Sequence, residues 1–321
     1  MTDLPKPVQN LPGAAFLNKY WLDQTLREAM NPLLFFNGLL PVTDSDSKAF
    51  IYDVIENTAT KDLEDGVMSL PLPGGEEAAL TRLNMSNISQ VKGRIPKVGY
   101  KIPLSRDLLS QTNIQNEMEM RVQKAAFGMS YHMNDLIIDT LSAGATAGTV
   151  SITNTWGSGD EAPVDDLIAM WYDFKEKEYP NRMFDVMAET VNHQEFVQYL
   201  SSIDVDFTFQ DERTVVVDSY PGLRGMRIHD CEDQLTHGTA ITLDGRDNVY
   251  PGAEVYRYID NDFAVRKANP EAGEGAKPDP TGVHVNVYTE QKNPYTTFVE
   301  LWMHPLPVVK VAKMIKKQTG L

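Results

Sequence analysis

The chain has 321 residues and a formal net charge of −16, from 45 acidic and 29 basic side chains, which argues against a general binder of phosphate backbones. Its only cysteine is Cys231, so an intramolecular disulfide and a metal site built from several cysteines are excluded. The N-terminus lacks the pattern of a signal peptide, and no apolar run reaches the roughly 18 residues of a membrane span, so we expect a protein made in a cytoplasm.

Residues 1–48 open with several prolines and then show one amphipathic pattern. Apolar side chains recur near helical spacing and predict a helix. This helix should end at Asn31, because Pro32 disfavours helical backbone at the residue before it. The apolar residues of the pattern are Phe16, Tyr20, Leu22 and Leu26. We interpret the segment as an arm that lies across other surfaces rather than as a compact domain.

Residues 49–100 contain two strand-like stretches, 50–55 and 88–100. Between them, residues 60–81 are rich in Asp-Gly and Pro-Gly pairs, which form turns. A span of this length with few core-forming residues is typical of a functional projection or a disordered segment. The pattern therefore predicts an extended, two-stranded flap.

The clearest signal covers residues 113–141, where the sequence predicts one long amphipathic helix. Thr112 and Gln115 have the spacing of a capping box at its start. The helix should end near Gly144 and be roughly 40 Å long, at about 1.5 Å per residue. Its apolar stripe consists of Ile114, Met118, Val122, Ala125, Met129, Met133 and Leu136. This methionine-rich stripe either packs on a sheet as core, which we favour, or forms an adaptable binding groove.

Residues 150–250 have the alternation of an α/β unit. Pro163 opens a helix, and a strand is predicted at 183–188. Residues 192–195 are predicted to cap a second helix, and 215–217 form a short apolar strand. This order of strand, helix and strand predicts a small layered domain.

The C-terminal part is predicted to consist of strands and one loop. Alternating apolar residues at 283–288 predict a strand that pairs with 298–303. Further strands are predicted at 254–259 and 308–311, while residues 268–282 are typical of a loop. The densest basic cluster of the chain follows and comprises Lys310, Lys313, Lys316 and Lys317.

The sharpest chemical cluster runs from His229 to Asp233, with His237 nearby. Its residue types could bind a metal, but the spacing matches no standard zinc pattern, so a polar loop with a partly buried cysteine is favoured. Carboxylates beside Cys231 would raise the pKa of its thiol, opposite to what a nucleophile needs. The chain has neither a Gly-x-Ser-x-Gly elbow nor a phosphate-binding Gly-x-x-x-x-Gly-Lys motif. We therefore predict no catalytic, cofactor-binding or metal site.

The order of arm, flap, long helix, α/β unit and returning strands resembles the major capsid protein of tailed double-stranded DNA viruses, which has the Hong Kong 97-type fold. Residues 97–109 look like the passage from the extended loop into the spine helix of that family. Residues 223–228 resemble the Leu-x-Gly-x-x-Val step of its A-domain. Residues 302–305, with 308–311, resemble the strands that return to its P-domain.

The resemblance implies an α+β fold and a division of the chain into four parts. Residues 1–48 would be the N-terminal arm and 49–100 the extended E-loop. The P-domain, with the spine helix, would combine 101–149 with 285–321. The A-domain would be 150–284, with an α/β structure.

The resemblance also implies a structural protein rather than an enzyme, without cofactor or metal. Such subunits of a bacteriophage or archaeal virus self-assemble in the host cytoplasm into pentamers and hexamers of an icosahedral virion capsid around double-stranded DNA. The arm and E-loop would contact neighbouring capsomers, and scaffolding, portal and decoration or turret proteins would be separate partners; no membrane is involved. Candidate residues facing the DNA non-specifically are Lys6, Lys19, Arg27, Lys310, Lys313, Lys316 and Lys317.

Two other interpretations stay open at this point. An encapsulin-type nanocompartment shell has the same fold, and the sequence separates it poorly from a viral capsid. A cytoplasmic metal-dependent hydrolase using His229 and His237 is the alternative from another class of protein.

Overall fold

The fold is seen in a computed structural model. It describes residues 17–30, 34, 39–55, 88–111, 113–147, 156, 163–176, 184–203, 205–211, 213–220, 223–244, 252–260, 263, 282–290 and 296–319. Across these ranges, no helix combines the length and apolar character needed to cross a membrane.

Helices and strands alternate along the chain in a mixed architecture. The helices are α1 (Lys19–Met30), α2 (Arg106–Leu109), α3 (Ile114–Gly144), α4 (Pro163–Glu176) and α5 (Thr190–Ser202). The strands are β1 (Val42–Ser45), β2 (Ala49–Ile55), β3 (Ile88–Arg94), β4 (Val98–Ser105), β5 (Thr146–Ala147), β6 (Phe184–Ala188), β7 (Phe207–Phe209), β8 (Thr214–Val217), β9 (Arg227–Asp230), β10 (Thr239–Asp244), β11 (Ala253–Tyr258), β12 (His284–Glu290), β13 (Thr296–Met303), β14 (Pro305–Val309) and β15 (Ile315–Thr319).

The long helix α3 extends over 31 residues, or about 46 Å at about 1.5 Å per residue. Its predicted apolar stripe is buried from Ile114 to Met133, whereas Leu136 is only half-buried and Ile137 and Ile138 replace it in the core. The predicted end at Gly144 is confirmed. The predicted cap residue Thr112 lies outside the described residues, and the side chain of Asn113 makes no capping hydrogen bond.

The N-terminal helix α1 packs along α3, so this part of the predicted arm lies on the core of its own chain. Leu22, Leu26 and Met30 are buried in the same core cluster as the α3 stripe. These side chains recur four residues apart and therefore share one face of α1, which must find an apolar partner. Because α1 ends at Met30, directly before Asn31, the predicted stop is confirmed.

A three-stranded antiparallel sheet, in the order β12-β13-β4, lies beneath the two helices. The predicted pairing of β12 with β13 is confirmed, with Val287 opposite Val299. Helix α1 contacts β12, and α3 contacts β4 of the same sheet, so both helices cover this sheet. Helix α3 also contacts β14. Strand β4 runs through Pro103 and tolerates this proline because it lies at the edge of the sheet.

The largest sheet has the order β5-β15-β10-β6-β9-β8-β7, and it includes the predicted α/β unit. Strands β6 and β9 run parallel, with the second core cluster around Val186, Phe196 and Ile228. Helix α5 begins at Thr190, and Glu189 caps it by accepting from the Val191 amide, so the cap predicted at 192–195 was wrong.

The C-terminal strand β15 pairs with β10 in this largest sheet. The sequence had assigned it, within 285–321, to the part that carries the long helix. Strand β15 contains two lysines and a glutamine and lacks apolar alternation, so the sequence did not predict it. The strand predicted at 308–311 corresponds to β14, which ends at Val309.

Candidate assembly surfaces

Strands β2 and β3 form a two-stranded antiparallel hairpin, as the flap prediction required. The ring of Phe50 lies 4.4 Å from the ring of Tyr256 on β11, and the ring of Tyr52 lies 6.1 Å from it. One face of the hairpin is thereby anchored on the sheet β1-β11-β14. The outer part of the predicted flap, residues 60–81, lies outside the described residues.

The other face of the hairpin exposes a large apolar side chain. Ile51 alternates with Phe50 and Tyr52 and is 58% exposed. Its cross-strand partner on the same face is the exposed Lys92. A hairpin of two strands is marginal by itself, so further burial of this face would stabilise it.

Helix α3 carries a second row of apolar side chains on its outward side. Met120, Phe127 and Tyr131 are exposed and follow each other at seven and four residues, a spacing that places them on one helical face. The rings of Phe127 and Tyr131 stack at 6.5 Å. Tyr100 of β4 lies beside them, because its hydroxyl covers Gly128. We call Tyr100, Met120, Phe127 and Tyr131 the helix-face patch.

The helix-face patch was missed by the sequence analysis, which followed only the buried stripe. Phe127 and Met120 are 58% and 59% exposed, which is unusual for side chains of this size in contiguous positions. Contiguous exposed apolar patches on soluble proteins mark sites of protein association. A second, offset row of apolar residues within a long helix was the signal that could have indicated it.

The predicted basic residues do not form one exposed surface among the described side chains. Arg27 forms an ion pair with Asp23 one helical turn earlier. Lys310 forms an ion pair with Glu254 and lies 5.3 Å from the ring of Tyr256.

The remaining basic residues differ widely in their accessibility. Lys316 is 2% exposed, and burial lowers its pKa to about 8, so as placed it does not reach a ligand outside the fold. Lys19 and Lys317 are half-buried, and the Lys317 ammonium donates to the Ser142 hydroxyl at 2.7 Å. Lys6 and the side chain of Lys313 lie outside the described residues.

The cluster around His229 is a buried polar network. His229 Nε2 lies 2.9 Å from Asp185 Oδ1, and its Nδ1 lies 3.2 Å from the Thr214 hydroxyl. Arg227 Nε donates to the same Asp185 oxygen at 2.9 Å. The row of hydroxyl, imidazole and carboxylate has the order of a hydrolase triad, but all three side chains are buried and exclude a substrate.

Cys231 and His237, the other candidate ligands of that cluster, lie in different environments. The thiol of Cys231 is buried, and burial, followed by the Asp230 charge, raises its pKa. His237 is 66% exposed and contacts Glu189 Oε2 at 3.1 Å. Within the described part of the chain, no three His, Cys, Asp or Glu side chains are grouped to hold a metal ion.

No protein-family model and no curated protein sequence matches the chain. Solved structures do match it over nearly its whole length. The virus-like particle from Pyrococcus furiosus is 12% identical with a TM-score of 0.55, covering 94% of this chain and 100% of that one. The encapsulin complex from Synechococcus elongatus is 13% identical with a TM-score of 0.51, covering 92% and 89%.

A capsid from a virus gives a similar match. The capsid protein of the cyanophage P-SCSP1u is 9% identical with a TM-score of 0.50, and the match covers 89% of this chain and 88% of that one. The predicted fold class is therefore confirmed: the chain has the α+β Hong Kong 97-type fold. At these identities the likeness establishes the fold alone.

Proposed function

We propose that this chain, having the Hong Kong 97-type fold, is a major capsid protein. It assembles in the host cytoplasm into pentamers and hexamers of an icosahedral shell around the double-stranded DNA of a tailed virus. The observation that carries the proposal is a pair of exposed apolar surfaces on one chain, the hairpin face at Ile51 and the helix-face patch at Phe127. Neither surface has a covering element among the described residues.

The two surfaces differ in shape, and this favours a head-to-tail contact between copies. A projecting hairpin of one copy can lie on the rigid helix face of the next, which leaves each copy with one free surface of each kind. Head-to-tail contacts of this type close into rings when the rotation between copies allows it. Repetition around a closed shell then makes modest individual contacts sufficient for a stable assembly.

The proposal is tested with three variants of the full chain in negative-stain electron microscopy and analytical ultracentrifugation. The wild type should form rings, tubes or shells. Ile51→Glu and Phe127→Glu each place a charge in the contact and should give folded monomers with an unchanged circular dichroism spectrum. Gln123→Glu adds the same charge at an exposed position of the same helix and should assemble normally. A wild type that stays monomeric at high concentration would sink the proposal.

DNA contact is assigned to the predicted basic side chains other than the buried Lys316 and the ion-paired Arg27 and Lys310. The described candidates are then Lys19 and Lys317. Lys6 and Lys313 are included because the sequence predicts them in this role; Lys6 and the side chain of Lys313 lie outside the described residues. A quadruple lysine-to-glutamine variant should bind DNA more weakly and with a shallower dependence on salt. Each phosphate contact that is lost reduces the number of counterions released on binding. Lys124→Gln, an exposed lysine of α3, is the control. Equal binding by both variants would contradict this assignment.

An encapsulin-type nanocompartment is the second candidate, because the TM-score of the match to the Synechococcus elongatus encapsulin, 0.51, lies between those of the virus-like particle, 0.55, and the cyanophage capsid, 0.50. The content of shells purified from the native host separates the two candidates: packaged genome or a protein cargo. Separate scaffolding, portal and decoration proteins belong to the viral candidate. A hydrolase based on His229 and His237 is not proposed, because His229 is buried between Asp185 and Thr214, whereas His237 lies at the surface against Glu189.

A further inference from the structure

The base of the hairpin is the place where the projecting strands join the body of the molecule. The Ile95 amide donates to the Lys48 carbonyl at 2.8 Å, which closes the hairpin at the point of entry and exit. Four rings from the body of the molecule meet there. They are Tyr258, His284, Trp302 and His304, and we call them the hinge cluster.

Three of the four rings of the hinge cluster, His284, Trp302 and His304, are buried. The imidazole of His284 stacks on Trp302, with ring centroids 5.5 Å apart and planes at 10°. His304 meets both His284 and Tyr258 edge-to-face, each at 5.4 Å. Both histidines are buried. Two imidazoles in contact inside a protein are compatible with packing only while at least one of them is neutral.

Hydrogen bonds fix the protonation state that the packing requires. His284 Nε2 lies 2.7 Å from the Asp260 backbone amide. An amide can only donate, so Nε2 accepts and carries no proton. His304 Nδ1 lies 3.0 Å from the Pro96 carbonyl, which can only accept, so this nitrogen carries the hydrogen. His284 thereby holds the segment after β11, and His304 holds the chain as it leaves the hairpin.

The charges that face the two imidazoles come from both ends of the hairpin and from the segment after β11. The Lys48 ammonium lies 5.0 Å from the Tyr258 ring, and the Lys97 ammonium lies 4.1 Å from the Trp302 ring. Asp260 supplies the carboxylate near the pair. Burial and then the adjacent His304 lower the pKa of His284 to about 4, while burial and the two lysines also lower the pKa of His304.

We propose that the hinge cluster is an acid-sensitive lock, which holds the hairpin to the body of the molecule while both imidazoles are neutral and releases it when they are protonated. A proton on His284 Nε2 turns the acceptor of the Asp260 amide into a donor and breaks that hydrogen bond. A proton on His304 adds a second buried cation beside His284, Lys48 and Lys97. Both changes oppose the packing at the base, and the hairpin is free to change its angle.

The direction of the pH dependence follows from the lowered pKa values. The locked state binds fewer protons than the released state, in which histidine returns to its ordinary pKa. The lock therefore weakens as the pH falls from about 6.5 to about 4. This inference concerns a single copy of the chain and does not depend on the assembly proposed above.

The test is amide hydrogen exchange of the full chain by mass spectrometry between pH 7 and pH 4, corrected for the intrinsic rate. Peptides covering 88–97 and 253–260 should exchange about tenfold faster at the acid end, a change equal to one pKa unit of proton linkage. A peptide from α5 is the internal reference. A wild type whose hairpin base exchanges equally at both pH values overturns the inference.

The matched variant is His284→Gln with His304→Asn. Glutamine places an acceptor near the position of Nε2, and asparagine places a donor near the position of Nδ1, but neither titrates. This variant should lose the acid step, whereas His237→Gln, at an exposed histidine, should keep it. An acid step of equal size in the double variant would contradict the lock. Should the double variant not fold, proton NMR of the wild type decides instead: a His284 imidazole that titrates at its ordinary pKa refutes the inference.

Discussion

Gly99 lies directly against Trp302 across the strand pair β4–β13. A Cβ on Gly99 would approach the Trp302 Cα to 2.6 Å and would overlap the Leu301 carbonyl. The indole of the same Trp302 stacks on His284. Only glycine allows this close approach, because the atoms it faces belong to the backbone and are unable to move aside.

We expect Gly99→Ala to destabilise the fold by about 1–3 kcal/mol, the typical cost of overpacking. The measurement is urea denaturation followed by circular dichroism. Gly128→Ala is the control, because the added methyl group meets only the mobile end of Tyr100 and alanine favours the helix by about 1 kcal/mol. Equal stability of Gly99→Ala and the wild type would show that the two strands are farther apart than described.

We expect Leu26→Ala to cost about 2–5 kcal/mol, as for other fully buried leucines. The reason is that α1 belongs to the core around α3 and is not a detached arm. Gln24→Ala, on the exposed face of the same helix, should change the free energy of unfolding very little. If both variants unfold at the same urea concentration as the wild type, the packing of α1 on α3 is wrong.

We expect Asp185→Ala to cost about 3–5 kcal/mol, because it removes a buried carboxylate from its ion pair with Arg227, whose side chain is only 13% exposed. The same change removes the hydrogen bond to His229 Nε2. His237→Ala removes an exposed contact and should cost about 0–1 kcal/mol. Thermal unfolding of both variants measures the difference, and similar melting temperatures would argue against a structural role for the Asp185 network.

We expect the stability of the wild type to contain a component that rises between about pH 8 and pH 10.5 because of Lys316. Its pKa is lowered in the folded state, so the unfolded chain binds more protons in this range and unfolding becomes less favourable as the pH rises. In Lys316→Met this component should be absent. The difference between the two denaturation profiles isolates it from the titration of tyrosines, and Lys317→Met should keep the wild-type slope.

The features that the sequence predicted correctly have strong local signals. Apolar residues recurring every three or four positions from Ile114 to Met133 identified α3 and its buried side, because helical period and burial coincide over many turns. Alternating valines before Tyr288 identified β12, and the aromatic residues of β2 identified one strand of the hairpin. The family resemblance that implied the α+β class rested on the order of these elements along the chain.

The failures share one cause, which is that the deciding partner is distant in sequence. The cap of α5 shifted to Glu189 because the chain leaves β6 at Ala188, and strand ends are set by the sheet. The residue types of the helix-face patch do not distinguish its α3 residues from buried core residues. Their exposure depends on which side of α3 receives α1 and β4.

The sequence by itself determined the long helix, the strands that alternate and the place where α1 ends, because backbone preference and hydrophobic period act over neighbouring residues. Only the tertiary structure decided that α1 is core, that β15 joins the largest sheet with Lys316 inside it, and that His284 and His304 meet at the base of the hairpin. These relationships join segments far apart in the chain. Side-chain packing and burial select them, and neither leaves a periodic trace in the sequence.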